Sequence, residues 1–326
     1  MTGNTKLFDV DEEILTKKFL QLKNEAGSHS PSIFTFKQKL PELNIKIDAC
    51  FLSNPYATDL FLNYFTQEII ETGRIRELLE FYPSQNQVIA EIIANFLHIN
   101  SNSVFIGNGA IEIIQAVIHN FVRKKIVINI PTFSSYYEFV KDDIEVIYNK
   151  LEKEDKYHLN INKYVEFIKS NRPDTIVIIN PNNPDGGYIE HNDIRKILDN
   201  VKDVENVIID ESFIHFAYED DSFNPINTAN LLSEYSNLII IKSMSKDFGI
   251  AGIRAGYAIM SPDKIKTLLQ NGYLWNSNGL SEYFFRLYAR TDFANDYNQA
   301  RVKYIQETIE FINELCAIEG LTVYPS

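Results

Sequence analysis

Between about residues 85 and 260 the sequence alternates helical stretches with short apolar runs rich in β-branched residues. No other feature limits the fold as strongly. The apolar runs are Ile126–Ile130, Thr175–Ile179, Val207–Ile209 and Leu238–Ile241, and the helical stretches include Gln87–Leu97, Ile111–Val122 and Asn192–Leu198. Strands buried on both faces read as continuous apolar runs, and strands separated by helices pair in parallel. The expectation is an α/β protein with a mainly parallel, mixed sheet flanked by helices. In open sheets of this kind ligands bind outside the carboxyl ends of the strands, so those ends are where chemistry is to be sought.

Composition narrows the partners. With 31 basic and 44 acidic residues the net charge is −13, which opposes a general affinity for nucleic acid or an anionic membrane surface. At 326 residues the chain has room for one large domain and a smaller one. No apolar run approaches the ~20 residues of a membrane span, and the polar start, Met1 to Lys6, is no signal peptide. Cys50 and Cys316 are too few for a metal cluster or a disulfide framework. These features predict a soluble cytoplasmic protein with no metal. Outside the alternating region, Asp9 to Lys23 reads as an amphipathic helix carrying Val10, Ile14, Phe19 and Leu22. Asp292–Ile318 reads as one long helix, and Leu321–Tyr324 as a possible strand.

Five segments at strand ends carry polar or constrained residues. Gly107-Asn108-Gly109-Ala110-Ile111-Glu112 leads into a helix whose first N–H groups and dipole favour an anion, although a plain turn is the blander alternative. A dinucleotide fingerprint would need a third glycine where Glu112 stands. Pro131-Thr132-Phe133 offers an aromatic that either stacks on a planar ring or fills the core. Asn180-Pro181-Asn182-Asn183-Pro184-Asp185-Gly186-Gly187 forces a rigid turn that can aim an asparagine amide at a ligand oxygen. Asp210 closes an apolar strand and serves either as a helix cap or as the partner of a cationic ligand nitrogen. Finally, Ser243, Ser245, Lys246 and Arg254 fall within twelve residues on a glycine-loosened turn. Hydroxyls and a guanidinium suit a phosphate, and an amine beside them suits a carbonyl.

Taken together these segments resemble the fold type I pyridoxal-phosphate (PLP) enzymes, the class I and II aminotransferases. The similarity is to the branch containing histidinol-phosphate aminotransferase and threonine-phosphate decarboxylase. It runs from about residue 50 to 260, with the motifs in the family's order. Its most specific parts are Ser243-Met244-Ser245-Lys246, followed by Arg254, and the doubled Asn-Pro turn. The resemblance implies that Lys246 holds PLP as a Schiff base and moves the substrate proton, while Asp210 binds the pyridine nitrogen. It implies Asn183 at the phenolic oxygen, Phe133 stacked on the ring, and the cofactor phosphate held by Gly109, Ala110, Ile111, Ser243, Ser245 and Arg254. It further implies a homodimer in which Tyr82 reaches the neighbouring site, with Asn54 near the substrate and His29 on a substrate phosphate.

On this reading residues 1–54 are an N-terminal arm and part of a small α+β domain, 55–270 the large PLP-binding domain, and 271–326 the start of the C-terminal small domain. Two departures stand out. Phe213 occupies a position where many aminotransferases carry a tyrosine, a substitution also found in the decarboxylase branch. The family's arginine for the substrate carboxylate belongs far past the Schiff-base lysine. Arg286, Arg290 and Arg301 come too early to match it, so the chain reads as shortened at its C-terminal end. The expected activity is transamination between an amino acid or amine and a 2-oxo acid, on a polar or phosphate-bearing substrate. Decarboxylation of a phosphorylated amino acid is the alternative. A nicotinamide-dependent dehydrogenase would leave Ser243, Ser245, Lys246 and Arg254 unexplained, and a non-catalytic protein of the same fold is the remaining possibility.

Overall fold

The computed structural model describes residues 10–25, 30–46, 51–217 and 228–324. The chain divides into two units, Met1–Leu52 and Ser53–Ser326. In the first, helix α1 (Val10–Glu25) and the short α2 (Ile33–Lys39) are the described elements. Phe19 stacks on Phe36 with ring centroids 5.3 Å apart, and Lys18 pairs with Glu42 at 2.8 Å. Ser32 caps α2, its hydroxyl accepting from the Thr35 N–H. His29 and Cys50 lie outside the described residues.

The second unit is built on a seven-stranded sheet in the order β1-β7-β6-β5-β4-β2-β3. The strands are β1 (Val104–Asn108), β2 (Lys125–Ile130), β3 (Glu145–Lys150), β4 (Thr175–Ile179), β5 (Asn206–Asp210), β6 (Leu238–Ser243) and β7 (Ala255–Ile259). Only β7 runs against its neighbours, β6 and β1. The expected mainly parallel mixed sheet is therefore what forms, with β4 to β7 buried along their whole length. The apolar runs mark four of these strands to within two residues. Strands β1 and β7 escaped that reading because Gly107 and Gly256 interrupt their apolar pattern.

Helices cover both faces. The remaining helices are α3 (Pro55–Phe65), α4 (Ile75–Glu80), α5 (Asn86–Leu97), α6 (Ala110–Phe121), α7 (Ser135–Glu138) and α8 (Ile161–Asn171). They continue with α9 (His191–Asn200), α10 (Pro262–Gln270), α11 (Gly279–Tyr288) and α12 (Thr291–Cys316). Ile176, Ile178, Val207, Ile209, Leu238 and Ile240 join one apolar layer with α5, α8, α9 and α11. Their neighbours Val177, Ile179, Ile208, Ile239 and Ile241 join the other, with α6 and α10. Because side chains alternate along a strand, the same register sends Asp210 and Ser243 to the α6 face and Glu211 and Lys242 to the opposite one. The long helix predicted near the end is α12, which lies along α3. Tyr64 donates to Asp296 at 2.8 Å, and the Lys303 ammonium sits 4.0 Å from the Tyr56 ring centroid. Residues 321–324 are coil, not the expected strand, and pair with no strand of the sheet.

Candidate active site

The carboxyl ends of β1, β5 and β6, with the start of β7, bring the main group of predicted residues together. Strand β1 ends at Asn108, and Gly109, with φ of +78°, turns the chain into α6. That conformation is open to glycine and strained for other residues. A Cβ on Gly109 would stand 2.4 Å from Nη2 of Arg254, so the guanidinium lies directly against the first turn of α6. Across the sheet, Ser243 pairs with Gly256 and Gly256 with Gly107, forming one row that ends at this turn. A Cβ on Gly256 would come within 2.9 Å of the Ala110 nitrogen. The first N–H groups of α6, the Arg254 guanidinium and Ser243 therefore share one small region. Glu112, in the first turn of α6, accepts from the Asn108 N–H at 2.7 Å and from the Asn276 amide at 2.8 Å, which stiffens the turn.

Asp210 is buried to 3% exposure at the end of β5. Its Oδ1 accepts from the Ser212 N–H at 2.8 Å, and its Oδ2 from the Tyr136 hydroxyl at 2.7 Å. Burial pushes the carboxyl pKa up, while the hydrogen bonds from Ser212 and Tyr136 and the Lys242 ammonium pull it back. Turn-capping and ligand-pairing, left open by the sequence, are compatible here: one oxygen caps the turn after β5 and both can still face a cation.

Lys246 follows β6 by three residues and is half-buried. Its carbonyl accepts from the Asn54 N–H at 3.1 Å and the Gly249 N–H at 3.2 Å. Ser245, beside it, donates its N–H to the Ser243 hydroxyl at 3.2 Å, and Ser243 in turn donates its N–H to the Ser212 hydroxyl. The Lys246 turn is thus tied directly to the turn that follows Asp210. Asn54, buried to 1%, caps α3 by accepting from the Tyr56 and Ala57 N–H groups. Its side-chain oxygen is thereby engaged in the fold, beside Lys246.

The loop after β4 is locked by its own side chains. Asn180 exchanges two hydrogen bonds with Ile189, Asn182 reaches the Pro131 carbonyl at 3.0 Å, and Asp185 accepts from the Gly187 N–H at 2.7 Å. None of these bonds uses the half-buried Asn183 amide. Thr132 donates to Asn182 at 3.0 Å and so joins the loop carrying Phe133 to this one. Phe133 is half-buried against the apolar layer of α6. Tyr82 stands apart from the cluster. It is 92% exposed, its ring 6.5 Å from that of Trp275, on a turn anchored where Ser84 donates twice to Glu282. The three later arginines are all engaged: Arg286 with Glu282, Arg290 with Glu68 and Asp292, and Arg301 with the carbonyls of His215 and Ala217.

Sequence reasoning passed over Tyr136, Lys242 and Asp247. Tyr136 lies inside the motif carrying Phe133, three residues on, and full burial of a tyrosine at a strand end was the missing clue. Lys242 and Asp247 form an ion pair at 3% and 0% side-chain exposure. A lysine closing the Leu238–Ile241 run was its only trace in the sequence.

Residues 53–326 match the family of class I and II aminotransferases, and the chain belongs to that family. Its relatives include the L-serine phosphate decarboxylase of Campylobacter jejuni, 61% identical over 98% of this chain and 82% of that protein. The L-serine phosphate decarboxylase of Sulfurospirillum multivorans is 49% identical over 95% of this chain and 79% of that one. A solved decarboxylase structure from S. multivorans superimposes with a TM-score of 0.91 at 48% identity, covering 97% of this chain and 80% of that one. The histidinol-phosphate aminotransferase of Clostridium acetobutylicum gives 0.64 at 28%, covering 78% and 73%.

Two consequences follow. The protein is a fold type I PLP protein, and its residues fit that cofactor: a buried carboxylate for a cationic ring nitrogen, a glycine-lined anion cradle, and a half-buried lysine on the turn after β6. The expectation of an aminotransferase is overturned, because the high-identity relatives are decarboxylases while the aminotransferases stand much further off. The error has a physical origin. Residues that hold PLP are common to both reactions, and the residues quoted for the resemblance were nearly all of that kind.

Proposed function

We propose that the chain is a PLP-dependent decarboxylase of a small phosphorylated amino acid, with L-serine phosphate as its substrate. The α-carboxylate leaves as CO₂ and a proton takes its place on the α-carbon, giving ethanolamine phosphate. The observation that carries this reading is 61% identity, over nearly the whole chain, to a protein named for that activity.

When bound, PLP supplies an electron sink for the pair left on the α-carbon as one of its bonds breaks. The chain's own residues divide the remaining work. Asp210, oriented by Tyr136 and Ser212, would face the ring nitrogen and favour its protonated form. Gly109, Ala110 and Ile111 offer main-chain N–H groups to the cofactor phosphate, with Ser243, Ser245 and Arg254 completing the cradle. Asn183 donates to the phenolic oxygen, and Phe213, without a hydroxyl, leaves that oxygen to Asn183. Phe133 covers one ring face. Lys246 Nζ would hold the cofactor covalently and would supply the proton that replaces the carboxylate on the α-carbon. Which bond breaks depends on which substituent stands perpendicular to the ring, so the groups that grip the substrate phosphate decide the reaction. On the resemblance, His29 is assigned to the substrate phosphate and Asn54 to the neighbourhood of the substrate. A homodimer places Tyr82, already projecting from its surface, at the cofactor phosphate of the neighbouring subunit.

The test is direct. Purified protein with PLP and L-serine phosphate should release CO₂ and ethanolamine phosphate in equal amounts, and Lys246→Ala should release neither. Accumulation of a 2-oxo acid with pyridoxamine phosphate, without CO₂, would sink the proposal.

A further inference from the structure

We propose that the buried Lys242–Asp247 ion pair is a positioning device that fixes the distance between Asp210 and Lys246. Neither residue of the pair is assigned a contact with cofactor or substrate. Strand register turns Lys242 to the face of β6 opposite Ser243, away from the anion cradle. The pair lies instead on the far side of the sheet's end, among Phe248, Tyr257, Tyr288 and Tyr297.

Its connections run to both ends of the site. From β6, the Lys242 ammonium reaches the Asp247 carboxylate, one residue past Lys246. The same ammonium donates to the Ser212 carbonyl at 3.4 Å, two residues past Asp210. Asp247 Oδ1 accepts from the Phe248 N–H at 3.1 Å, so the carboxylate also shapes the turn it sits on. Helix α12 closes the arrangement: the Tyr297 hydroxyl lies 3.5 Å from the Asp247 carbonyl and 3.1 Å from His215 Nδ1. One buried charge thus ties the turn after β5 to the turn after β6. Those are the two segments whose side chains must meet opposite ends of a rigid ring.

The physical argument for a positional role comes from energetics. Two charges removed from water gain little net stability over a well-packed apolar pair, because desolvation offsets their attraction. What an ammonium adds is directional reach to several oxygens at once, which an apolar side chain lacks. The inference rests on the cofactor assignment and not on the choice of substrate.

Lys242→Met with Asp247→Leu removes both charges and keeps the volume, so no buried charge is left alone. The expected result is a protein whose apo form melts at or above the wild-type temperature but binds PLP at least tenfold more weakly in a spectral titration. The pH midpoint of its visible absorbance should move, because Lys246 and Asp210 no longer hold their separation. Lys242→Arg, which keeps the charge and the reach, should recover most of the affinity. If the double variant matches wild type in PLP affinity within twofold and keeps the same pH midpoint, the pair is merely structural and the proposal falls. Should the double variant not fold, Lys242→Met and Lys242→Arg decide between them: weaker PLP binding and a moved midpoint in the folded fraction of Lys242→Met, with both near wild type in Lys242→Arg, support positioning. Wild-type affinity and midpoint in Lys242→Met, with only its stability lowered, overturn it. None of these readouts requires substrate, so a wrong substrate assignment would leave the outcome unchanged.

Discussion

The hydroxyl of Tyr136 donates to Oδ2 of Asp210 at 2.7 Å, joining α7 to the end of β5 across 74 residues of chain. Both groups are fully buried, and the tyrosine is held protonated by burial and by the carboxylate facing it. Tyr136→Phe removes one of the bonds that keep Asp210 ionised against its own burial. The variant should lose roughly 1.5–3 kcal/mol of stability, the range for a hydrogen bond to a charged group. PLP affinity should fall about tenfold, an order-of-magnitude figure for one such bond. Thermal melting and spectral titration of the same preparation would show both losses. Unchanged affinity in a stable variant would mean that Ser212 alone suffices.

Gly109→Ala tests the anion cradle. The new methyl would meet Arg254 Nη2 at 2.4 Å, and the backbone there has φ of +78°. Either the guanidinium swings away or the turn opens, and both outcomes disperse the donors. Affinity for PLP should drop by about two orders of magnitude, on the scale of losing one or two charge-assisted bonds. Pyridoxal lacking the phosphate should bind the variant and the wild type equally well. A loss of the same size for pyridoxal would place the damage in the ring site instead.

The fold was legible from the sequence wherever strands were buried on both faces. Residues 175–179 were read as a strand with the observed bounds, and residues 207–209 and 238–241 lie inside the observed strands. Strand β3 lies at the sheet edge, half-exposed, and its mixed pattern carried no such signal. Motif order brought out Lys246, Asp210 and Arg254 because each is a chemically odd residue close to the end or start of a strand. Tyr136 and Asp247 stayed hidden because their meaning depends on partners that only the folded sheet brings near. The reaction was misread for a related reason. It is decided by how the substrate is posed, and the residues that carried the resemblance are those of the cofactor, which say nothing of that pose.

Asn54 has two roles to separate. Its side chain caps α3, while its N–H holds the Lys246 carbonyl. Asn54→Ala should cost about 1 kcal/mol of stability from the lost cap. Asn54→Ser restores the cap but not the amide. If the amide also serves the substrate, the serine variant will melt like wild type and show a raised KM for L-serine phosphate. A serine variant with wild-type KM would confine Asn54 to the fold.

His215 supplies a pH signature. It is half-buried between Phe248 and Tyr297, with ring centroids 5.5 Å from each, and the cations Lys242 and Arg301 lie nearby. Burial first, and then those two charges, push its pKa well below the usual histidine value. The native ring therefore stays neutral under conditions where the unfolded chain takes up a proton. With more protons bound in the unfolded state, stability must fall as pH drops through the ordinary histidine value near 6.5. The slope from this one residue is about 1.4 kcal/mol per pH unit until the native ring itself protonates. His215→Phe keeps an aromatic ring in the slot and removes the titration. Asp210 and Asp247, whose pKa values burial raises, titrate in both proteins and drop out of the comparison. Denaturant unfolding of the two at pH 7.5, 6.5, 5.5 and 5.0 should give curves that converge on acidification, the wild type losing stability faster below 6.5. Parallel curves would show that the native histidine accepts its proton as readily as the unfolded one.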